Sequence, residues 1–152
     1  MVQTTAEARQ QLLDTVAEAT DQIGVALAAL GAAYEQLDET SADALEEQLF
    51  RPVQLAYGRA RRIYAEFAAR HGLTSREFET RSAGLPSTGA RGFIDAAMVA
   101  VGRADNALAT LQDSMLPVEV GDPELRAALA ELRELVGTLE VRARELVRTL
   151  GR

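Results

Sequence analysis

Apolar residues recur along this chain at alternating steps of four and three. The last segment reads Leu125, Leu129, Leu132, Val136, Leu139, Ala143, Leu146, Leu150; the first reads Leu12, Val16, Ala19, Ile23, Ala26, Leu30, Tyr34, Leu37. A strand repeats every two residues and a helix every 3.6, so this alternation, sustained over several turns, calls for helices that bury one stripe. The same spacing runs through Ile94, Ala97, Val101, Ala104, Leu108, Leu111 and Met115. Between the first and third series, Leu45, Leu49, Val53, Ala56, Tyr57, Ala60, Ile63, Tyr64 and Phe67 share one face, with Phe50, Tyr57 and Tyr64 seven residues apart.

Punctuation residues set the boundaries. Thr4-x-x-Glu7 fits a capping box, in which hydroxyl and carboxylate satisfy orphan backbone donors. Asp38–Ser41 is a short polar break in which Thr40 or Ser41 caps the next helix, and a break this short returns the chain antiparallel. Pro52 predicts a kink near Leu49 or a fresh start with the proline in a first turn. Gly72 reads as a helix stop, and Asp122-Pro123-Glu124 as a start with cap, proline and acid in order. These signals place helices at about 5–37, 41–71, 90–115 and 123–150. Residues 72–89 form a long loop, which Phe78 and Leu85 would pin to the core. The fold class is therefore all-α: a single domain, residues 1–152, forming an antiparallel four-helix bundle of two helical hairpins joined by that loop. The loop stretches far enough, about 55 Å, to leave the order of the hairpins open.

Composition narrows function by exclusion. The chain has 152 residues, a net charge of −7 and no Cys. An acidic chain lacks the basic footprint that phosphate binding needs, so no nucleic-acid partner is expected. With no Cys there is neither a thiolate nucleophile nor a Cys-ligated metal. All 16 basic residues are Arg, which removes Schiff-base and phosphate-loop lysines and points to a GC-rich bacterial genome. The only His, His71, is not preceded by Glu at the spacing of a di-iron site, and it reads as a cation at a helix C-terminus. No metal, no cofactor and no catalytic set is expected. The polar start, Met1–Gln10, is unlike a signal peptide and no apolar run spans a bilayer, so a cytoplasmic protein is expected.

A few residues depart from the plain pattern. Tyr57 and Tyr64 sit at the edge of a seam where a ring is buried and its hydroxyl meets water or a partner. Arg61 lies beside that row, at cation–π reach. Asp105 and Gln112 fall about 40° and 20° from Val101, inside the apolar arc of the third helix, where polar groups need partners. Tyr57, Tyr64, Arg61, Thr20 and Glu140 are the expected partners. The Arg51, Arg59, Arg61, Arg62, Arg70 cluster reads as a solvated face. Glu66–Arg70 and Glu140–Arg144 are spaced as ion pairs. Leu55, with Ala69, points away from the core and would suit an oligomer contact. The expectation is a non-enzymatic helical protein that acts through a protein partner or as a homo-oligomer. The alternative is a bundle binding a small ligand in a polar pocket near Tyr57, Tyr64 and Asp105.

Overall fold

A computed structural model describes residues 4–80 and 89–150, and all regular structure among them is helical. Helix α1 spans Thr5–Glu35, α2 Glu39–Leu45, α3 Arg51–His71, α4 Gly89–Asp113, α5 Leu116–Glu119 and α6 Pro123–Leu150. A π-helical turn, Glu46–Phe50, fuses α2 to α3.

The sequence signals account for most of these boundaries. At α1 the Thr4 hydroxyl accepts the Glu7 N–H at 3.1 Å, the hydroxyl half of the capping box. Helix α2 begins at Glu39, ahead of both expected caps, and Asp38 at its N-cap makes no side-chain cap bond. The π turn is the local answer to Pro52. A proline lacks the N–H owed to the carbonyl four residues back, and its ring crowds that carbonyl. Widening the turn before it, with Arg51 N–H reaching back to Glu46 C=O, lets the helix pass without a break. Gly72 ends α3 with φ 63°, and the Leu73 N–H closes onto Ala68 C=O at 2.8 Å. That is the left-handed stop which glycine adopts without strain.

Helix α1 packs on α3 and on α4, and α6 packs on the same two helices. One core runs through all of them, with Leu12, Ile23, Leu49, Phe67, Ile94, Leu108, Leu129 and Leu132 fully enclosed. The ends fix the directions. Arg9 near the start of α1 donates to Val120 C=O just before α6, at 3.0 Å. Gly89, which opens α4, lies beside Gln36 at the far end of α1, close enough that a Cβ there would sit 4.0 Å from Oε1. So α4 starts at the opposite end from the one where α3 stops, and the chain crosses over between them. Residues 73–80 run beside α1 and α3, where the Phe78 ring meets Tyr64 edge-on at 4.9 Å. Leu85, the other expected pin, lies outside the described residues.

Two apolar seam assignments need correction, and one expectation of exposure holds. Tyr34 is 39% exposed and Ala33 takes its place in the core. A straight helix drifts about 20° per heptad against a strict seven-residue repeat, so by the last turn of α1 the seam has moved one residue. Met115 is 59% exposed because α4 ends at Asp113. The Ser114 hydroxyl donates to Leu111 C=O at 2.7 Å and turns the chain into the single turn of α5. Leu55 is exposed as its angle requires.

Candidate functional site

Polar side chains gather at several places. The first joins the end of α3 to the start of α6. Asp122 caps α6 by accepting the Leu125 N–H at 2.7 Å. The same carboxylate accepts two bonds from Arg70, Nε at 2.8 Å and Nη2 at 2.9 Å, and meets His71 Nε2 at 2.8 Å. Burial works to raise the Asp122 pKa, but the bonds from Arg70, Leu125 and His71 and the Arg70 charge outweigh it. Its carboxyl is held well below the usual carboxylate range. Arg70 is shifted up, chiefly by its bonds to Asp122. His71 was expected to answer the carbonyls of its own helix end; its partner is Asp122, with its ring 4.5 Å from that of Phe67. Arg70 turns to Asp122 rather than forming the expected pair with Glu66.

The second place lies between α4 and α6. Arg133 Nε donates to Asp105 Oδ1 at 3.3 Å and its Nη1 to Gln112 Oε1 at 3.1 Å. Asp105 and Gln112 are thus half-buried and bonded across helices, but through Arg133 and through none of the expected partners. Thr20 is fully buried and donates to Val16 C=O of its own helix at 2.7 Å, and Glu140 is exposed. Arg133 could have been found in the sequence, since it falls about 60° from Val136, at the edge of the α6 apolar arc.

The third place is a cleft of about 450 Å³ between α1 and the segment after α3, lined by Asp21, Gln22, Val25, Arg76, Glu77 and Glu79. Arg76 organises it. Its backbone N–H donates to the Tyr64 hydroxyl at 3.1 Å, its guanidinium pairs with Asp21, and it lies 4.2 Å over the Phe78 ring. Tyr57 is buried nearby, with the Arg61 guanidinium 4.7 Å over its ring and Gly24 leaving room for it on α1. Burial pushes the Tyr57 hydroxyl pKa up, with Arg61 opposing and Asp21 adding to the shift. Gln22 Oε1 is buried without a partner among the described residues. The structure therefore brings Tyr57, Arg61 and Tyr64 together on the α1 side of α3. Asp105 and Gln112 stand elsewhere, between α4 and α6, so no single pocket holds all five. Asp21, Gln22 and Arg76 carried no signal: two lie off the α1 seam and the third in a segment without period.

The fourth place is a groove on the outer side of α4 and α6. It holds about 310 Å³, floored by Ile94, Met98, Ala143 and Val147, with Asp95, Glu140 and Arg144 at its lips. It continues toward the end of the protein as a recess of about 200 Å³ that adds Leu37, Ala90, Arg91 and Leu150. Val99 on α4 is 55% exposed and Val141 on α6 is 50% exposed. Among the described residues, Arg91, Asp95, Glu140 and Arg144 form no ion pair or hydrogen bond, so the expected Glu140–Arg144 pair is not made.

Among the described residues no group of three or more His, Asp or Glu side chains is placed to hold a metal ion. No described helix is long and apolar enough to cross a membrane. The chain matches no family model, no curated protein and no solved structure.

Proposed function

We propose that the chain is a non-enzymatic four-helix bundle that binds another protein through the outer face of α4 and α6. The observation that carries this reading is the groove between those helices. Its floor is apolar, the half-exposed Val99 and Val141 stand on the same two helices, and its lip charges have no partner among the described residues. Ion pairs tie charges elsewhere in the fold, Asp122 with Arg70 and His71, Asp105 with Arg133, and Asp21 with Arg76. An apolar strip rimmed by unanswered charge is the surface pattern that a protein partner covers. The groove beside α3 and α6 is more heavily charged, with Arg59, Arg62, Glu66, Arg70, Glu124 and Glu131 around Ile63, Leu125 and Ala128.

The test is positional. A photo-reactive residue at position 99 or 141 should give covalent adducts in cells, and one at Leu55 or Glu131 should not. Adducts equally frequent at all four positions, or absent at 99 and 141, would remove the reading.

A second reading is favoured by Gln22. Its buried, unanswered Oε1 lies beside a cleft carrying Glu77 and Glu79. A small ligand with hydrogen-bond donors and positive charge would suit those acceptors. Such a ligand should raise the melting temperature of the wild type and not that of Gln22→Met.

A further inference from the structure

Residues 74–80 lie on the bundle without being built into it. Among the described residues their backbone makes no bond to other backbone, and all of them but Phe78 are exposed. Just before them α3 is already closed off by Gly72 and by the Leu73 N–H on Ala68 C=O, so the helix does not need the segment that follows. Two residues tie that segment down. Phe78 sets its ring edge-on against Tyr64 at 4.9 Å. Arg76 gives its backbone N–H to the Tyr64 hydroxyl at 3.1 Å and its guanidinium to Asp21 of α1. Arg76 also lies 4.2 Å over the Phe78 ring, which joins the two ties into one unit. With this cover in place Tyr64 is 5% exposed.

We propose that residues 74–80 are a strap that lifts off α1 and α3 as a unit while the bundle stays folded, uncovering Tyr64. The magnitudes favour this order of events. One exposed ion pair, one neutral hydrogen bond and one ring pair together favour the closed strap by about ten- to a hundredfold. A folded domain outweighs its unfolded chain by about 10³-fold or more, so the strap gives way first. Leu73 packs against the core, which places the pivot just after it. The two states present different chemistry. Closed, Arg76, Glu77 and Glu79 wall the cleft that holds Asp21 and Gln22. Open, that wall is gone, and an aromatic ring with its hydroxyl faces water beside α1. Occupation of the cleft and access to Tyr64 therefore exclude one another, and a ligand of the cleft would hold the strap down by its differential affinity for the closed state. The strap itself depends on neither reading of the binding site.

Hydrogen exchange and tyrosine nitration test the strap on the full chain. The Arg76 amide should be protected about ten- to a hundredfold relative to a free amide, and its exchange should be flat in urea up to about 1 M. Amides in the middle of α1 and α6 should follow the slope of global unfolding. Nitration of Tyr64 by tetranitromethane, read by peptide mass, should be about five- to tenfold faster in Arg76→Ala and in Phe78→Ala, with the far-UV circular dichroism of both variants unchanged. Arg76 is exposed, so its variant keeps the comparison valid even if Phe78→Ala disturbs the packing. About 1 M NaCl should speed nitration of Tyr64 in the wild type, by screening the pair with Asp21, and leave Arg76→Ala unaffected. An Arg76 amide without protection would show that the strap is not fastened. One that follows the global slope would show that it opens only with the bundle. Either result, or nitration of Tyr64 that Arg76→Ala leaves unchanged, would overturn the proposal.

Discussion

The two ends of α6 treat charge in opposite ways. At its start, Asp122 satisfies a backbone donor, a guanidinium and an imidazole at once, and Arg9 and Arg126 nearby are tied to the carbonyls of Val120 and Pro117. In its last turns, Glu140 and Arg144 stand one turn apart on the same helix and make no bond among the described residues, and neither do Arg91 and Asp95 across the groove. Charges that hold a fold together have their partners inside it, because a half-buried ion without one is costly. Charges left at the rim of an apolar groove contribute nothing to the isolated chain, and their arrangement acquires meaning when a partner arrives.

The contrast predicts a graded series of effects. Asp122→Ala should have the largest, because it removes the α6 cap and leaves Arg70 and His71 without their acceptor. A loss of about 2–4 kcal/mol in a urea melt is expected. A change below about 0.5 kcal/mol would show that the joint is not structural. Gly121→Ala tests the same end by a different route. An added Cβ would clash with the Pro117 carbonyl oxygen, and because that atom is backbone, relief requires moving α5. A loss of about 1–3 kcal/mol is expected.

Acid titration comes next. The folded Asp122 carboxyl binds its proton less tightly than the unfolded one. Its contribution is therefore complete above the unfolded pKa of about 3.9 and is lost as pH falls through the lower folded value. Asp122→Asn keeps the shape and the capping oxygen but cannot titrate. It should lower stability at neutral pH and flatten the fall below about pH 4; an unchanged acid limb would contradict the assignment. Asp105→Ala should cost less, about 0.5–1 kcal/mol, since its pair with Arg133 is half-exposed and long at 3.3 Å. Asp95→Ala, at the groove, should change monomer stability by no more than about 0.5 kcal/mol.

The fold was largely legible because its signals are local. The apolar periods of α3 and α6, the Thr4 cap, the Gly72 stop and the Asp122 start each follow from a few neighbouring residues, and the structure places them as expected. Tyr34 shows where local reading fails: a small drift per heptad, accumulated over the helix, decides which residue faces inward at its end. Pairings across helices were less legible. Asp105 and Gln112 were identified by angle, but their partner depends on which helices are adjacent, and that in turn depends on the crossover between α3 and α4. Because α4 lies beside α1 and α6, Arg133 and not Tyr57 or Arg61 comes within reach of Asp105. The groove was hidden for the same reason: Arg91 and Asp95 acquire their relation to Arg144 and Glu140 only after α4 and α6 are aligned antiparallel.

The absence of cysteine makes one measurement especially clean. A single cysteine introduced at position 99 can carry a photo-reactive label without competing thiols, and likewise one at position 55. Illumination of each labelled protein in a cell lysate then reports which face a protein partner covers. Covalent adducts from position 99, with none from position 55, are the predicted result. No adducts from position 99, or adducts from position 55 in its place, would contradict the account.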